Sequence, residues 1–137
     1  MNWKTWSIII ILSFLLAGAM AGCMARTGGP GQIELSATEF DFGTIPNTKA
    51  VSQVFQVRNA GSGPLEIENL STSCGCTTAN IDSRQLAPGE DTDLTVTYDP
   101  LAHNGATGEF MRIVYLRSSD PDTPEANLMI RVTVAEP

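Results

Sequence analysis

Past residue 31, apolar residues recur at every second position in short runs cut by turn formers, and no stretch carries helical spacing. Leu65-Glu66-Ile67-Glu68 alternates cleanly, Asp93-Leu94-Thr95-Val96-Thr97-Tyr98 does the same, and Leu128, Ile130, Val132 and Val134 share one face of Ala126–Val134. A strand of this kind buries one face and wets the other, the habit of antiparallel sheets. Glu39–Gly43, Gln53–Arg58, Pro64–Leu70, Thr92–Tyr98, Glu109–Arg117 and Ala126–Val134 read as strands, with a short run Gln32–Ser36 ahead of them. A further strand is expected within residues 77–84, where Thr77-Thr78-Ala79-Asn80-Ile81 has the weakest pattern. The breaks are Asn59-Ala60-Gly61-Ser62-Gly63-Pro64, Leu86-Ala87-Pro88-Gly89-Glu90 and Asp99-Pro100. In the second of these, proline presets φ and glycine accepts a positive φ. About seven such strands with frequent turns predict an all-β, antiparallel β-sandwich. Its inward set is Phe42, Phe55, Val57, Leu65, Ile67, Leu94, Val96, Tyr98, Val114, Leu116, Leu128, Ile130, Val132 and Val134. At roughly 1.5–3 kcal/mol per fully buried apolar side chain these support a core without a core disulfide.

The first 22 residues have a different character. Lys4 supplies a positive start, Ile8 to Leu16 is apolar apart from Ser13, and the small residues Ala17-Gly18-Ala19-Met20-Ala21-Gly22 follow. This is the pattern of a secretory signal peptide, too short and too rich in small residues at its end for a spanning helix. Two processing readings stand. Met20-Ala21-Gly22-Cys23 resembles the bacterial lipobox, with Met20 where Leu, Val or Ile is preferred, and Cys23 would then carry lipid. Ala19-Met20-Ala21 also fits an ordinary signal peptidase, which would release a soluble chain starting at Gly22. The lipoprotein is favoured, because a lone Cys directly after the small residues otherwise lacks a purpose in an exported chain. Each buried acyl methylene would add about 0.8 kcal/mol to the membrane anchor. Residues 23–31, with MARTGGPG after Cys23, read as a flexible tether, and residues 32–137 as one domain on the periplasmic or cell-surface side.

Lys4 leaves with the signal, so the mature chain sets seven basic residues against fifteen acidic ones, a net charge of −8. Such a domain, lacking a basic cluster, is repelled by phosphate backbones, which argues against nucleic acid and for solubility and cationic partners. Enzyme signatures are missing too. One histidine and scattered serines make no G-x-S-x-G elbow. Asp99 to Gly105 lacks the D-x-D-x-D-G calcium pattern, and the glycines sit in β-turns rather than a phosphate cradle. Glu66/Glu68 and Asp91/Asp93 alternate on strand faces that solvent reaches. Tyr98 matches the packing role of a corner tyrosine.

The chemistry concentrates in Ser73-Cys74-Gly75-Cys76-Thr77, which holds two of the three cysteines one residue apart. Counting antiparallel strands, and granting one within 77–84, puts this loop, Ile45-Pro46-Asn47-Thr48 and Asp99–Gly108 at one end of the sandwich. That last loop contains His103, the only histidine. Three readings stay open. Side chains at i and i+2 of an extended segment point the same way, so two thiolates with His103 could clamp Zn²⁺ or Cu(I), although three ligands close no structural site. The two Cys could instead bridge through a small bent ring, giving a thiol–disulfide exchange site. Here the C-x-x-C pair and helix N-terminus that activate thioredoxin-like thiols are absent. In the third reading the Cys and Gly side chains fill a tight bend and His103 is a solvated loop residue.

Phe40-Asp41-Phe42-Gly43-Thr44-Ile45, Asn59-Ala60-Gly61, Pro64-Leu65-Glu66-Ile67, Ser73-Cys74-Gly75-Cys76-Thr77, Ala87-Pro88-Gly89-Glu90 and Val96-Thr97-Tyr98-Asp99-Pro100 occur in this order. Together they resemble the bacterial domain-of-unknown-function family numbered 1573, many of whose members are lipoproteins. The resemblance runs from about Phe40 to Val134. It implies an immunoglobulin-like sandwich and no established activity. The expected function is a cell-envelope lipoprotein whose domain is a non-enzymatic binding or structural module, acting through loops or a free sheet edge that accepts an envelope protein. The alternative is a thiol-redox or soft-metal-handling lipoprotein using Cys74, Cys76 and His103.

Overall fold

The computed structural model describes residues 28–137, so the signal segment and Cys23 lie outside the described residues. Among the described residues nine strands form in order: β1 (Ile33–Leu35), β2 (Glu39–Pro46), β3 (Val51–Asn59), β4 (Leu65–Thr72), β5 (Thr77–Ile81), β6 (Gln85–Leu86), β7 (Asp91–Tyr98), β8 (Gly108–Ser118) and β9 (Glu125–Ala135). They make two layers, a four-stranded sheet ordered β1-β3-β7-β5 and a five-stranded sheet ordered β2-β9-β8-β4-β6. No helix among the described residues is long and apolar enough to cross a membrane.

The sandwich is the one expected, with two corrections. The short run read at Gln32–Ser36 forms β1, and an unexpected two-residue strand, β6, brings the count among the described residues to nine. The arrangement is also not wholly antiparallel, because β2 runs parallel to β9, from Glu39 opposite Met129 to Pro46 opposite Ala135. Alternation reports which face of a strand is wet but not the direction of a neighbour distant in sequence. With no hairpin joining β2 to β9, nothing local enforces antiparallel pairing. The register slips between Asp41 and Thr44, where Gly43 takes φ +70 and its N–H donates to the Asp41 carboxylate. This bulge re-phases the strand, leaving Phe42 only half-buried and turning Ile45 into the core.

Every other member of the expected inward set is buried, joined by Ile45, Cys76 and Leu86. The turn before β7 has the predicted chemistry, with Gly89 at φ +80 and the Glu90 N–H donating to the Ala87 carbonyl at 3.0 Å. At that pole Asn59 is fully buried. Its amide nitrogen donates to the carbonyls of Gly63 and Leu86, and its oxygen accepts from the N–H groups of Gln32 and Gly61. Residues 28–31, assigned above to a flexible tether, belong to this body. The Gly29 N–H donates to Ser62 Oγ, the Pro30 carbonyl accepts from the Gly63 N–H, and Gly31 is buried.

Candidate functional site

The opposite pole gathers the loops after β2, β4 and β7. Asn47 Nδ2 donates to the Gly105 carbonyl at 3.0 Å, and the Asp99 N–H donates to the Cys76 carbonyl at 2.8 Å. The strand within 77–84 is real, as β5, so the counting argument correctly places the cysteine loop and His103 at one end. The Thr72 hydroxyl clamps the base of the cysteine loop, its single proton shared between the carbonyls of Cys74 and Thr77 at 3.0 and 2.9 Å. Ser73 ties it to β8 through its N–H to the Ile113 carbonyl and its hydroxyl from the Ile113 N–H.

His103 reaches the loop through a single 3₁₀ turn, Pro100–His103. The Asp99 carboxylate caps the turn by accepting from the Leu101 N–H at 2.9 Å, Pro100 fixes its first residue, and Asn104 at φ 55 stops it. The exposed ring of His103 lies with Nε2 2.9 Å from Cys74 Sγ.

Cys74 and Cys76 are joined by a disulfide, with 5.2 Å between their Cα atoms. The bridge has the geometry of the second reading, and the burial of Cys76, 2% exposed, has that of the packing reading. Cys74 is half-exposed. The candidate ligand atoms of Cys74, Cys76 and His103 lie within 4.8 Å of one another. Zinc and copper(I) bind thiolates, so metal and bridge are mutually exclusive states of the same sulfurs.

The strand count did not reveal Arg112. It sits on β8 in phase with Phe110, Val114 and Leu116, on the face turned to the core. Its guanidinium lies over the Phe110 ring, 5.1 Å from the centroid, with one nitrogen donating to the Met111 carbonyl and Nε donating to Cys76 Sγ at 3.1 Å. The readable signal was a cation at an inward position of an alternating run. Beneath it, Tyr98 is 1% exposed and packs on Phe110 with ring centroids 6.4 Å apart. Burial raises the Tyr98 phenol above its ordinary range, with Arg112 opposing and Asp99 reinforcing the shift. Tyr98 is thus a packing residue at this pole.

The two-layer β-sandwich has a fold similar to those of immunoglobulin-like and PapD-like domains. The chain belongs to the family described as protein of unknown function DUF1573, whose profile matches residues 33–134. No curated protein matches it. Among solved structures it is similar to a protein of unknown function from Porphyromonas gingivalis W83, with 25% identity and a TM-score of 0.69. That match covers 75% of this chain and 46% of the other, so the chain spans about half of that relative. It is also similar to the ASH/PapD-like domain 7 of human CEP192 (11% identity, TM-score 0.62, covering 77% and 86%). The YadV chaperone is a third (14% identity, TM-score 0.52, covering 76% and 51%). The last two likenesses concern the fold alone.

Proposed function

We propose that the protein is a non-enzymatic module of the cell envelope, held at a membrane by lipid on Cys23, that docks a protein partner on the outward face of its five-stranded sheet. The observation that carries the docking is an apolar patch in register on that face. Ile113 stands opposite Met129, Tyr115 opposite Asn127, and Met111, 53% exposed, opposite Arg131. A shallow depression lined by Asp41, Glu109, Met111, Arg131 and Thr133 adjoins it. The outward face of the other sheet is polar by contrast. There Ser52 bonds Thr97, Gln56 bonds Asp93 and Arg58 pairs with Asp91, with Val54 the only large apolar side chain exposed. A contiguous apolar patch rimmed by polar groups suits protein docking. The mature charge of −8 favours a partner with a basic rim. The anchor, the export and the absence of catalysis rest on the sequence patterns of residues 1–23 and on the missing enzyme signatures.

Two measurements test this. Radioactive fatty acid should label the wild type and not Cys23→Ser; label that survives the substitution dismisses the anchor. The double variant Met111→Lys/Ile113→Lys should lose partner co-purification from detergent-solubilised envelope by about tenfold or more, while Val54→Lys retains it. Met111 and Val54 are exposed, so Met111→Lys and Val54→Lys should each leave stability within about 0.5 kcal/mol, and circular dichroism checks that the double variant, with half-buried Ile113 replaced, is folded. Equal retention by the two variants, or no partner at all, sinks the docking reading.

A further inference from the structure

The docking face leaves the sulfur pole without a role. We propose that the Cys74–Cys76 bridge is a thiol–disulfide exchange site that oxidises an exposed dithiol on another exported protein, with Cys74 the sulfur attacked and Cys76 the sulfur that leaves. The two sulfurs are unlike in access and in electrostatic surroundings. Cys74 is half-exposed beside the exposed ring of His103, whereas Cys76 is 2% exposed and buried among core residues. An incoming thiolate meets first the cysteine that is only partly buried. The bond then breaks toward Cys76, whose Sγ already accepts from Arg112 Nε at 3.1 Å and lies 3.7 Å from the Thr77 hydroxyl.

A guanidinium stays protonated, so the charge that meets the departing thiolate is permanent. A disulfide is neutral and a thiolate is not, so Arg112 interacts far more strongly with the product of cleavage than with the closed bridge. That selective stabilisation speeds cleavage and makes the bridge the more oxidising partner. Arg112 touches the sulfur that leaves, in an exchange that is stoichiometric, one bridge being consumed per partner dithiol. His103 Nε2, 2.9 Å from Cys74 Sγ, is within reach of the incoming thiol's proton.

The step balances without a further reagent. The partner's first thiolate attacks Cys74 Sγ and forms a mixed disulfide, while the electron pair of the Cys74–Cys76 bond stays on Cys76 Sγ. The partner's second thiolate then attacks its own first sulfur, closing the partner's disulfide and releasing Cys74 as thiolate. Two electrons and two protons pass from the partner dithiol to Cys74 and Cys76.

The test uses the full chain in detergent and dithiothreitol as the dithiol. Reduction in graded ratios of reduced to oxidised dithiothreitol is quenched by alkylation and read by intact mass as a gain of two labels. The folded wild type should be reduced, and Arg112→Met should shift the equilibrium toward the bridge by about tenfold, or about 30 mV for two electrons. Reduction of this variant should also slow, and Arg112→Lys, which keeps a positive charge, should recover most of both effects. Cys76→Ser should form a mixed disulfide with glutathione disulfide at Cys74, while Cys74→Ser leaves Cys76 unmodified until urea is added. Circular dichroism checks that each variant is folded. A bridge that reduces only after denaturation overturns the proposal, as does an Arg112→Met variant with unchanged rate and equilibrium. Equal reactivity of Cys76 in Cys74→Ser overturns the assignment of attacked and leaving sulfurs. The docking test reads partner co-purification and this one reads thiol state, so either reading can fail alone.

Discussion

Asn59 uses both amide protons and accepts twice on its oxygen, and all four partners are main-chain groups from three segments at one pole. Truncation at this site strands the partners in a buried setting, each at about 1–3 kcal/mol where water cannot enter. Asn59→Ala should therefore lose about 3 kcal/mol in urea unfolding, and Asn59→Asp, which sets an acceptor against two carbonyls, should be no better. At this scale the interior was largely legible, because a period of two sorts side chains by face and only Phe42 missed full burial. Leu86 was hidden inside a segment read as turn, and Ile45 lay beyond a bulge that shifted the phase. The nearness of Cys74 to His103 followed from counting strands. Arg112 did not follow, because alternation scores a cation as polar and so as outward, whereas its aliphatic stem lies along the core and its head meets sulfur and ring.

Among the elements, β1 is only three residues long and depends on an anchor outside its own sheet. The Asp120 carboxylate, 3% exposed in the β8–β9 turn, accepts the Ile33 N–H of β1 at 2.9 Å through Oδ2. Through Oδ1 it accepts the N–H groups of Asp122 and Thr123 within its own turn. Burial raises its pKa, but these three backbone donors outweigh burial, and the carboxyl sits below its ordinary value of 3.8. A depressed folded-state pKa stabilises the fold above the unfolded value and loses that contribution as pH falls through the folded one. Wild type should therefore lose stability as pH drops below about 4, and Asp120→Asn should show a shallower loss, so urea midpoints of the two converge at low pH. The sequence signalled the long strands through their alternation. It did not signal β6, whose two residues carry no period, or the parallel alignment of β2 on β9, which joins segments far apart in the chain.

Taken whole, the molecule has one pole tightened by glycines and main-chain bonds and another that carries chemistry. A side chain on Gly61 would overlap the Pro30 carbonyl oxygen and the Gln32 nitrogen, while one on Gly75, between the two cysteines, would meet nothing within 4 Å. Gly61→Ala should cost about 1–3 kcal/mol and expose the leading segment to protease, whereas Gly75→Ala should stay within about 0.5 kcal/mol. The two-layer architecture was legible because alternating runs leave little else to build; the partner was not, since an outward patch depends on which strands become neighbours. The docking of residues 28–31 against the Gly61–Pro64 loop also sets an orientation. The chain enters at the glycine pole and β4 then runs eight residues, about 25 Å, before reaching the cysteines. If lipid sits on Cys23 as proposed, the cysteine pole would be the end of the domain farther from the bilayer.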